Sequence, residues 1–145
     1  MKRILVINGP NLNLLGVREP DIYGRETYAD LVKLIETAAR DLHVEVDVRQ
    51  SNHEGVIVDW IQEAHGAFDA IVMNPAAYTH TSVAILDALK AVAIPAVEVH
   101  ISDVSAREDF RQRSFVSLVA VKTIAGHGLK GYVEALEFLT QGGVK

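Results

Sequence analysis

The chain has 145 residues, enough for one domain with a sizeable buried core. Its 49% of apolar and 23% of charged residues are typical of a globular protein, and no apolar run approaches the roughly 18 residues of a membrane span. The net charge of -5 argues against a general nucleic-acid-binding protein, and the lack of cysteine excludes disulfides, thiolate metal sites and a cysteine nucleophile. The apolar stretch at the N-terminus is too short for a signal peptide, so we expect a single cytoplasmic domain over residues 1–145.

The first predicted elements are a strand, a long loop and a helix. Residues 2–8 form a short apolar strand, and residues 9–26 form a loop rich in Asn, Gly and Pro. Thr27 can cap a helix over about 28–41, with Asp30 placed as the acidic member of a capping box. The chain therefore opens with a strand and a helix that an unusually long loop separates.

Strands and helices continue to alternate along the rest of the chain. Val44, Val46 and Val48 alternate with charged residues, which predicts a half-exposed strand at the edge of a sheet. The later predicted elements are a helix near 57–64, a strand at 70–73, a helix at 81–92, a strand at 96–100, a strand within 116–124 and a helix near 129–136.

This alternation predicts an α/β protein with a doubly wound sheet of five parallel strands covered by helices on both faces. The edge character of the second strand favours the flavodoxin-like strand order 2-1-3-4-5. Ligands of such sheets bind beyond the carboxyl ends of the strands, where the strand order reverses. We therefore expect a binding site on the loops after strands one, three and four.

The long first loop carries Asn11, Arg18 and Tyr23. A free tyrosine has a pKa near ~10 and is a poor base at neutral pH, but a neighbouring guanidinium favours the phenolate and lowers that pKa. Arg18 and Tyr23 are thus a plausible pair for base catalysis. The alternative is a tyrosine that packs on the loop beside a solvated arginine, and the residues themselves leave both interpretations open.

The segment 74–82 follows the third strand and opens a helix. Amides at a helix N-terminus bind carboxylates and phosphates, and the small residues here let the backbone approach a ligand. The alternative is a plain loop with Thr81 or Ser82 as the helix cap. A cap does not account for Asn74 and His80, which we take as candidate ligand-binding residues.

Glu98 and His100 end the fourth strand and lie on the same strand face, because side chains repeat every two residues. A carboxylate beside an imidazole orients it and favours its protonated form, which suits a general acid. The alternative is an ordinary histidine at a strand end. The backbone of Ile101 and Ser102 just beyond it could hold a carboxylate.

Three further features point to a small anionic ligand or to a subunit contact. Arg107 and Arg111 are one helical turn apart and could share a face, although solvated surface arginines are the alternative. Asp87 interrupts an apolar helix two turns beyond His80, so it could border the same pocket or a subunit interface. The 6 histidines show no short metal-ligand spacing.

Taken in order, these segments resemble the motif set of the type II 3-dehydroquinate dehydratases over nearly the whole chain. The matching segments are NGPNLNLLG at 8–16, REP at 18–20, YG at 23–24, QSN at 50–52, EG at 54–55, NPAAYTHTS at 74–82, EVHIS at 98–102, RE at 107–108 and FR at 110–111. The sequence departs from the usual pattern at Asp103, Ser105 and Lys122.

The resemblance implies dehydration of 3-dehydroquinate to 3-dehydroshikimate, a step of the shikimate pathway, by anti elimination through an enolate without a metal or organic cofactor. It implies that Tyr23 is the base that removes the C2 proton and that Arg18 lowers its pKa. It also implies that His100, oriented by Glu98, is the acid that protonates the departing C1 hydroxyl. Asn11 would hold a water that stabilises the enolate.

The resemblance also assigns the substrate-binding residues and the assembly. Asn74, His80, Ile101, Ser102 and Arg111 would bind the carboxylate and hydroxyls of the substrate. Arg107 would lie on a lid and help to activate Tyr23, and Asp87 would contribute across a subunit boundary. The expected assembly is a dodecamer of trimers, with no nucleic-acid or membrane partner.

Other proteins with this kind of sheet are less consistent with the residues. A phospho-acceptor receiver needs acidic residues where this chain has Asn8 and Asn74, and a flavin carrier needs a phosphate-binding loop that residues 9–12 do not provide. The alternative that stays open is a non-catalytic flavodoxin-like module that binds a small anion.

Overall fold

The computed structural model describes residues 1–17 and 19–141, and for Tyr23 it describes the backbone. Arg18 and the side chain of Tyr23, both predicted site residues, lie outside the described part of the chain.

The predicted sheet is confirmed. Five parallel strands pair in the flavodoxin-like order β2-β1-β3-β4-β5. They are β1 (Arg3–Asn8), β2 (Glu45–Gln50), β3 (Ala70–Asn74), β4 (Ala96–His100) and β5 (Lys122–Ala125). Asn8 is level with Gln50 on one side and with Asn74 on the other. The carboxyl ends of the first three strands are therefore flush at one edge of the sheet.

Helices cover both faces of the sheet, and alternate residues of β1 reach the two resulting cores. The helices are α1 (Pro20–Tyr23), α2 (Tyr28–Asp41), α3 (Glu54–Glu63), α4 (Val83–Val92) and α5 (Lys130–Thr140). Ile4 and Val6 belong to the core under α2 and α5, whereas Leu5 and Ile7 belong to the core under α3 and α4. Both faces of the strand are apolar because both are buried, as expected for a central parallel strand.

The helix starts follow local side-chain chemistry. Thr27 Oγ1 accepts from the Asp30 amide at 3.2 Å while Asp30 Oδ2 accepts from the Thr27 amide at 2.9 Å, so the predicted capping box of α2 is confirmed. Ser82 Oγ accepts from the Ile85 amide at 3.0 Å and caps α4. The helix predicted at 81–92 therefore begins at Val83, two residues later.

Two predicted segments differ in the structure. The loop over 9–26 contains a short 3-10 turn at Leu12–Leu14 and the one-turn helix α1, which begins at Pro20 because proline suits a first helical position. The strand predicted within 116–124 is confined to β5, which pairs with β4 only from Lys122 to Ala125. Residues Val116–Leu118 instead form a 3-10 turn that buries Val116.

Within the described part of the chain, no helix combines the length and the apolar character that crossing a membrane requires.

Candidate active site

A pocket opens at the carboxyl edge of the sheet, where the loops after β1, β3 and β4 meet. It is lined by Pro10, Asn11, Leu12, Asn74, Ala76, Ala77, His80, His100, Ile101, Ser102, Val104, Arg107 and Arg111. The structure thus brings eight of the predicted site residues to one cavity, at the strand-order switch between β1 and β3.

Gly9 lets the first two of these loops touch. Its amide donates to the carbonyl oxygen of Asn74 at 2.8 Å, and a Cβ atom at Gly9 would lie 2.4 Å from the carbonyl oxygen of Pro75. Only glycine allows such a close approach of two backbones. The contact puts Asn11 and Asn74 on the same pocket.

Asn11 adopts a left-handed backbone conformation with φ of 70°. Its amide donates to Asn52 Oδ1 at 3.0 Å, and Gln50 Nε2 donates to the same oxygen and to the Gly9 carbonyl oxygen, each at 3.1 Å. The carboxyl end of β2 thereby supports the turn that carries Asn11. The sequence analysis grouped Gln50 and Asn52 among the family motifs but gave them no role.

The Asn74 amide is held by a buried hydrogen-bond chain. Asn74 Nδ2 donates to the Tyr132 hydroxyl at 2.9 Å, and that hydroxyl donates to Asn8 Oδ1 at 2.7 Å. Asn74 Oδ1 accepts from the Ala76 amide at 3.0 Å. Burial raises the pKa of Tyr132, so the hydroxyl keeps the proton that it donates. Tyr132 falls within the helix predicted near 129–136, and nothing in the sequence marks it as a site residue.

The tautomer of His80 follows from its partner. His80 Nδ1 lies 2.7 Å from the carbonyl oxygen of Arg113. Because a carbonyl oxygen can only accept, Nδ1 carries the hydrogen and Nε2 is left as the acceptor of the neutral ring. His80 can therefore accept a hydrogen bond from a hydroxyl group in the pocket.

Glu98 and His100 form the predicted pair at the end of β4. His100 Nε2 lies 2.5 Å from Glu98 Oε2, the carboxylate has no exposed surface and His100 is 8% exposed. Burial alone would raise the pKa of Glu98, but hydrogen bonds from His100, Ser117 and Ser114 and the charge of the imidazole outweigh it. The pKa of Glu98 is about 2, so the carboxylate is ionised at neutral pH.

Hydroxyl groups that the sequence analysis did not identify surround this carboxylate. Oε2 accepts from Thr79 at 2.8 Å and from Ser114 at 2.7 Å, while Oε1 accepts from Ser117 and, at 3.1 Å, from Thr123. The motif NPAAYTHTS contains Thr79, but the other three residues are distant in sequence from Glu98 and carry no local signal.

Arg107 and Arg111 both line the pocket, but the prediction that they share a helical face is wrong. Arg107 follows the 3-10 turn Val104–Ala106, and Arg111 ends a second 3-10 turn, Asp109–Arg111. The Arg111 guanidinium binds the Glu108 carboxylate, which lowers the pKa of Glu108, and it lies 5.2 Å from the centre of the Phe110 ring. Both arginines thus add positive charge at one wall of the pocket.

Asp87 is exposed on α4 and is not among the residues that line the pocket. Its predicted role across a subunit boundary is therefore compatible with its position. Within residues 1–17 and 19–141, no group of three or more His, Cys, Asp or Glu side chains is arranged to hold a metal ion.

The sequence departures are accommodated locally. Asp103 Oδ1 accepts from the Ser105 amide at 3.1 Å and from Ser105 Oγ at 2.6 Å, which turns the chain beyond β4. The Lys122 ammonium lies 5.2 Å from the centre of the Phe138 ring. Asp103 and Lys122 do not line this pocket, whereas Ser105 lines an adjoining cavity that also contacts Glu98 and His100.

Strand order, pocket position and lining together define an α/β protein with a flavodoxin-like sheet and a ligand site at its switch point. The chain belongs to the family described as dehydroquinase class II, whose model matches residues 2–140. The resemblance seen in the motifs, and with it the assignment to a class of hydro-lyase enzymes, is confirmed.

Named relatives and a solved structure agree with this family. The chain is 61% identical over 136 residues to a "catabolic 3-dehydroquinase" of Verticillium alfalfae, a match that covers 94% of the chain and 91% of the relative. It is 54% identical over 144 residues to a "3-dehydroquinate dehydratase" of Variovorax paradoxus, covering 96% and 99%. The crystal structure of a type II dehydroquinase from Butyrivibrio crossotus superposes with a TM-score of 0.94 at 53% identity, covering 95% and 97%.

Proposed function

We propose that the protein is a 3-dehydroquinate dehydratase that converts 3-dehydroquinate to 3-dehydroshikimate and water. The observation that carries this proposal is the ionised, fully enclosed Glu98 bound to His100 at the wall of a pocket lined by amides and arginines. Such a pocket suits an anionic, hydroxyl-rich acid, and the ion pair suits proton donation. Membership of the dehydroquinase class II family and the names of the relatives support the same substrate.

His100 is the proposed acid. Its Nε2–H bond to Glu98 leaves Nδ1 as the nitrogen that can serve the substrate, and a protonated ring donates the Nδ1 proton. As the C1–O bond breaks, its electron pair stays on the departing oxygen, which takes that proton and leaves as water. The neutral ring then remains bound to Glu98 through Nε2–H.

Tyr23 is the proposed base, with Arg18 and Arg107 lowering its pKa. The phenolate oxygen takes the C2 proton, and the electron pair of the C–H bond forms the enolate, with Asn11 holding a water against the enolate oxygen. When the enolate collapses, the same electrons form the new C1–C2 double bond as the C1 oxygen, protonated by His100, leaves as water. These roles come from the family resemblance, and the backbone of α1 ends at Tyr23 on the loop after β1, the same loop that brings Asn11 to the pocket.

The proposed binding residues divide by the group that they recognise. Backbone amides at Ile101 and Ser102, just beyond the end of β4, suit the substrate carboxylate. Asn74, His80 and Arg111 suit its hydroxyl groups and its negative charge. Each of these residues lines the pocket, which supports a shared role.

We further propose a cytoplasmic homo-oligomer, a dodecamer of trimers, in which Asp87 contributes to a neighbouring subunit. The reaction as proposed needs no cofactor and no nucleic-acid or membrane partner. It is a step of the shikimate pathway, and the name of the Verticillium alfalfae relative makes a catabolic role as relevant as a biosynthetic one.

The test is to add 3-dehydroquinate and follow the ultraviolet absorbance of the conjugated enone product. We expect turnover by the unaltered protein, and a loss of roughly 10²–10⁴-fold in kcat in Tyr23→Phe and in His100→Asn, the range that acid–base groups contribute. His127→Asn is the matched control for the histidine, because His127 pairs with Glu134 on the surface at 2.8 Å.

Folded Tyr23→Phe protein with undiminished turnover would contradict the assignment of the base. A folded, unaltered protein without any turnover, but with measurable binding of the substrate, would instead favour the non-catalytic anion-binding module. Circular dichroism of every variant separates loss of chemistry from loss of fold.

A further inference from the structure

Four hydroxyl groups enclose the carboxylate of Glu98, and the proposed chemistry gives none of them a role. They belong to Thr79, Ser114, Ser117 and Thr123, which we call the hydroxyl ring. Two of them bind Oε2 beside His100, and two bind Oε1. Both carboxylate oxygens therefore accept hydrogen bonds from side-chain hydroxyl groups.

The ring decides where the proton between Glu98 and His100 resides. A carboxylate without solvent contact can lose its charge by taking the proton of the imidazole, which leaves a neutral pair. A carboxylate that accepts hydrogen bonds on both oxygens resists this, because a protonated oxygen loses part of its accepting capacity. The hydroxyl ring thus supplies the hydrogen bonds that water would give to a solvent-exposed carboxylate.

The ring also has an internal order. The Ser117 amide donates to Ser114 Oγ at 3.1 Å, which leaves the Ser114 hydrogen for the carboxylate. Thr79 Oγ1 and Ser114 Oγ are 2.7 Å apart. Because each hydroxyl carries one hydrogen, Thr79 either donates to Glu98 itself or donates to Ser114 and so reinforces the hydrogen bond from Ser114 to Glu98. The hydroxyls are fixed by backbone contacts as well as by Glu98.

We propose that the hydroxyl ring sets the acidity of His100, so that Thr79, Ser114, Ser117 and Thr123 are positioning residues for the acid step. By holding the negative charge on Glu98, the ring keeps the proton on the imidazole. By spreading that charge over several donors, the hydroxyl ring weakens the attraction of the Glu98 carboxylate for the imidazolium cation. Nδ1 of His100 then becomes a better proton donor. The inference rests on the proposed role of His100 as the acid.

The members of the ring connect the acid to the wall that carries the arginines. Ser114 and Ser117 follow Arg111 in sequence, and the Phe115 amide donates to the Thr79 carbonyl oxygen at 2.8 Å. A movement of the segment that carries Arg107 and Arg111 would therefore alter the hydrogen bonds to Glu98. The same segment supplies charge to the pocket and hydrogen bonds to the acid.

Ser117→Ala is the test variant. The side chain of Ser117 is exposed, and among the described residues its hydroxyl makes hydrogen bonds to Glu98 and, at 3.5 Å, to Thr123, so its removal leaves the core intact. With one donor gone, more negative charge faces the imidazole, which then holds its proton more tightly. In protein with 15N-labelled histidine, we expect the ring nitrogens of His100 to titrate at a pH higher by roughly half a unit.

Turnover should follow the same change. We expect the alkaline limb of the pH profile of kcat to move upward by a similar amount and kcat to fall by up to about threefold, with little change in KM, because a weaker acid slows proton donation. Ser117→Thr should restore the unaltered behaviour. Ser82→Ala removes a hydroxyl that caps α4 and should lower the stability of the protein. It should change neither the pH at which His100 titrates nor the pH profile of kcat.

Other charged groups near His100 stay the same in these variants. Among the described residues, the charged or titratable side chains that share its cavities are, besides Glu98, His80, Arg107 and Arg111, and the substitutions alter none of them. If Ser117→Ala does not fold, Thr123→Val removes a second donor to the same oxygen with nearly the same shape.

The two hypotheses can fail separately. Unaltered protein without turnover would contradict the proposed function, yet the histidine titration of the free protein would still measure the effect of the ring. Folded Ser117→Ala or Thr123→Val protein in which His100 titrates at an unchanged pH, with an unchanged profile of kcat, would overturn the inference about the ring.

Discussion

Glu98 carries a charge that the fold encloses completely, and its stability contribution depends on pH in a defined direction. Its pKa is lowered from 4.5 to about 2 in the folded protein. When the pKa of a group is lower in the folded state, the unfolded state takes up the proton at a higher pH. Acid therefore favours the unfolded state. The stabilisation is therefore complete above about pH 4.5 and is lost as the pH falls toward 2.

Glu98→Gln tests this dependence. The shift in the pKa of Glu98 corresponds to about 3 kcal/mol in the free energy of unfolding. We expect Glu98→Gln to be less stable than the unaltered protein at pH 7 by an amount of this order, and the difference to shrink as the pH falls from 4.5 toward 2.

Urea denaturation at a series of pH values measures both quantities. Glu134→Gln is the matched control, because Glu134 also pairs with a histidine, at 2.8 Å, but on the surface. It should change the free energy of unfolding by less than about 1 kcal/mol at any pH. A difference between Glu98→Gln and the unaltered protein that stays constant from pH 7 to pH 2.5 would rule out an ionised Glu98 as the source.

At the scale of single residues, the pair of Glu98 and His100 could be predicted and its surroundings could not. The pairing follows from the two-residue repeat of a strand, which is a local property of the sequence. Thr123 comes to Glu98 only through the register of β4 against β5. Ser114 and Ser117 come from the segment before β5, where Val116–Leu118 forms a 3-10 turn in the region that was predicted to hold a strand. Contacts that depend on the tertiary fold leave no periodic signal.

At the scale of elements, the contact between the loops after β1 and β3 depends on the absence of a side chain at Gly9. A Cβ atom there would lie 2.4 Å from a backbone oxygen, which no side-chain movement can relieve. The loops would have to separate, and the 2.8 Å hydrogen bond from the Gly9 amide to Asn74 would lengthen. Because Asn11 and Asn74 lie on these loops, the pocket would lose its shape.

We therefore expect Gly9→Ala to lower the free energy of unfolding by about 1–3 kcal/mol, the range for forced overpacking, and to raise KM severalfold. Gly55→Ala in α3 is the control, since nothing lies within 4 Å of a Cβ atom there. Alanine at that helical position should stabilise the protein by up to about 1 kcal/mol and leave KM unchanged. Equal stability and KM in Gly9→Ala and the unaltered protein would show that the loops tolerate separation.

Some elements could be predicted from neighbouring residues, and others could not. The capping box at Thr27 and Asp30 and the alternation in β2 were predictable, because both are read over a few neighbouring residues. The one-turn helix α1 was missed, since four residues are too short for a helical repeat. The start of α4 at Val83 was uncertain because Thr81 and Ser82 are both suitable caps, and only the geometry selects Ser82.

At the scale of the whole molecule, the parallel sheet collects residues from distant parts of the chain at one edge. The Tyr132 hydroxyl joins Asn8 and Asn74 from the opposite end of the sequence, so α5 supports the site as well as the core. The order 2-1-3-4-5 was enough to predict which loops meet. The hydrogen bond between Asn74 and Tyr132 could not be predicted, because in the helical pattern Tyr132 is indistinguishable from an ordinary core residue.

The outer face of α4 is the surface that the proposed assembly would place against a second subunit. Val83 is 49% exposed, and Asp87, one helical turn further along, is also exposed. An exposed apolar side chain beside a carboxylate on one helix face is compatible with an interface in the proposed dodecamer. In that arrangement Asp87 contributes to the pocket of a neighbouring subunit. Two defective variants could then restore activity to each other in a mixed oligomer, which a monomer cannot do.

Mixing two inactive variants tests this arrangement. Asp87→Ala keeps its own His100 but supplies a defective contact to its neighbour, whereas His100→Asn lacks its own acid but supplies an intact Asp87. If the subunits share sites, unfolding and refolding the two together should give hybrid oligomers with activity well above that of either variant alone. Light scattering checks the mass of every species, and Asp59→Ala on the exposed face of α3 should be active without mixing. Mixed oligomers of the full mass that are no more active than the separate variants would mean that Asp87 acts within its own subunit or has no part in the reaction.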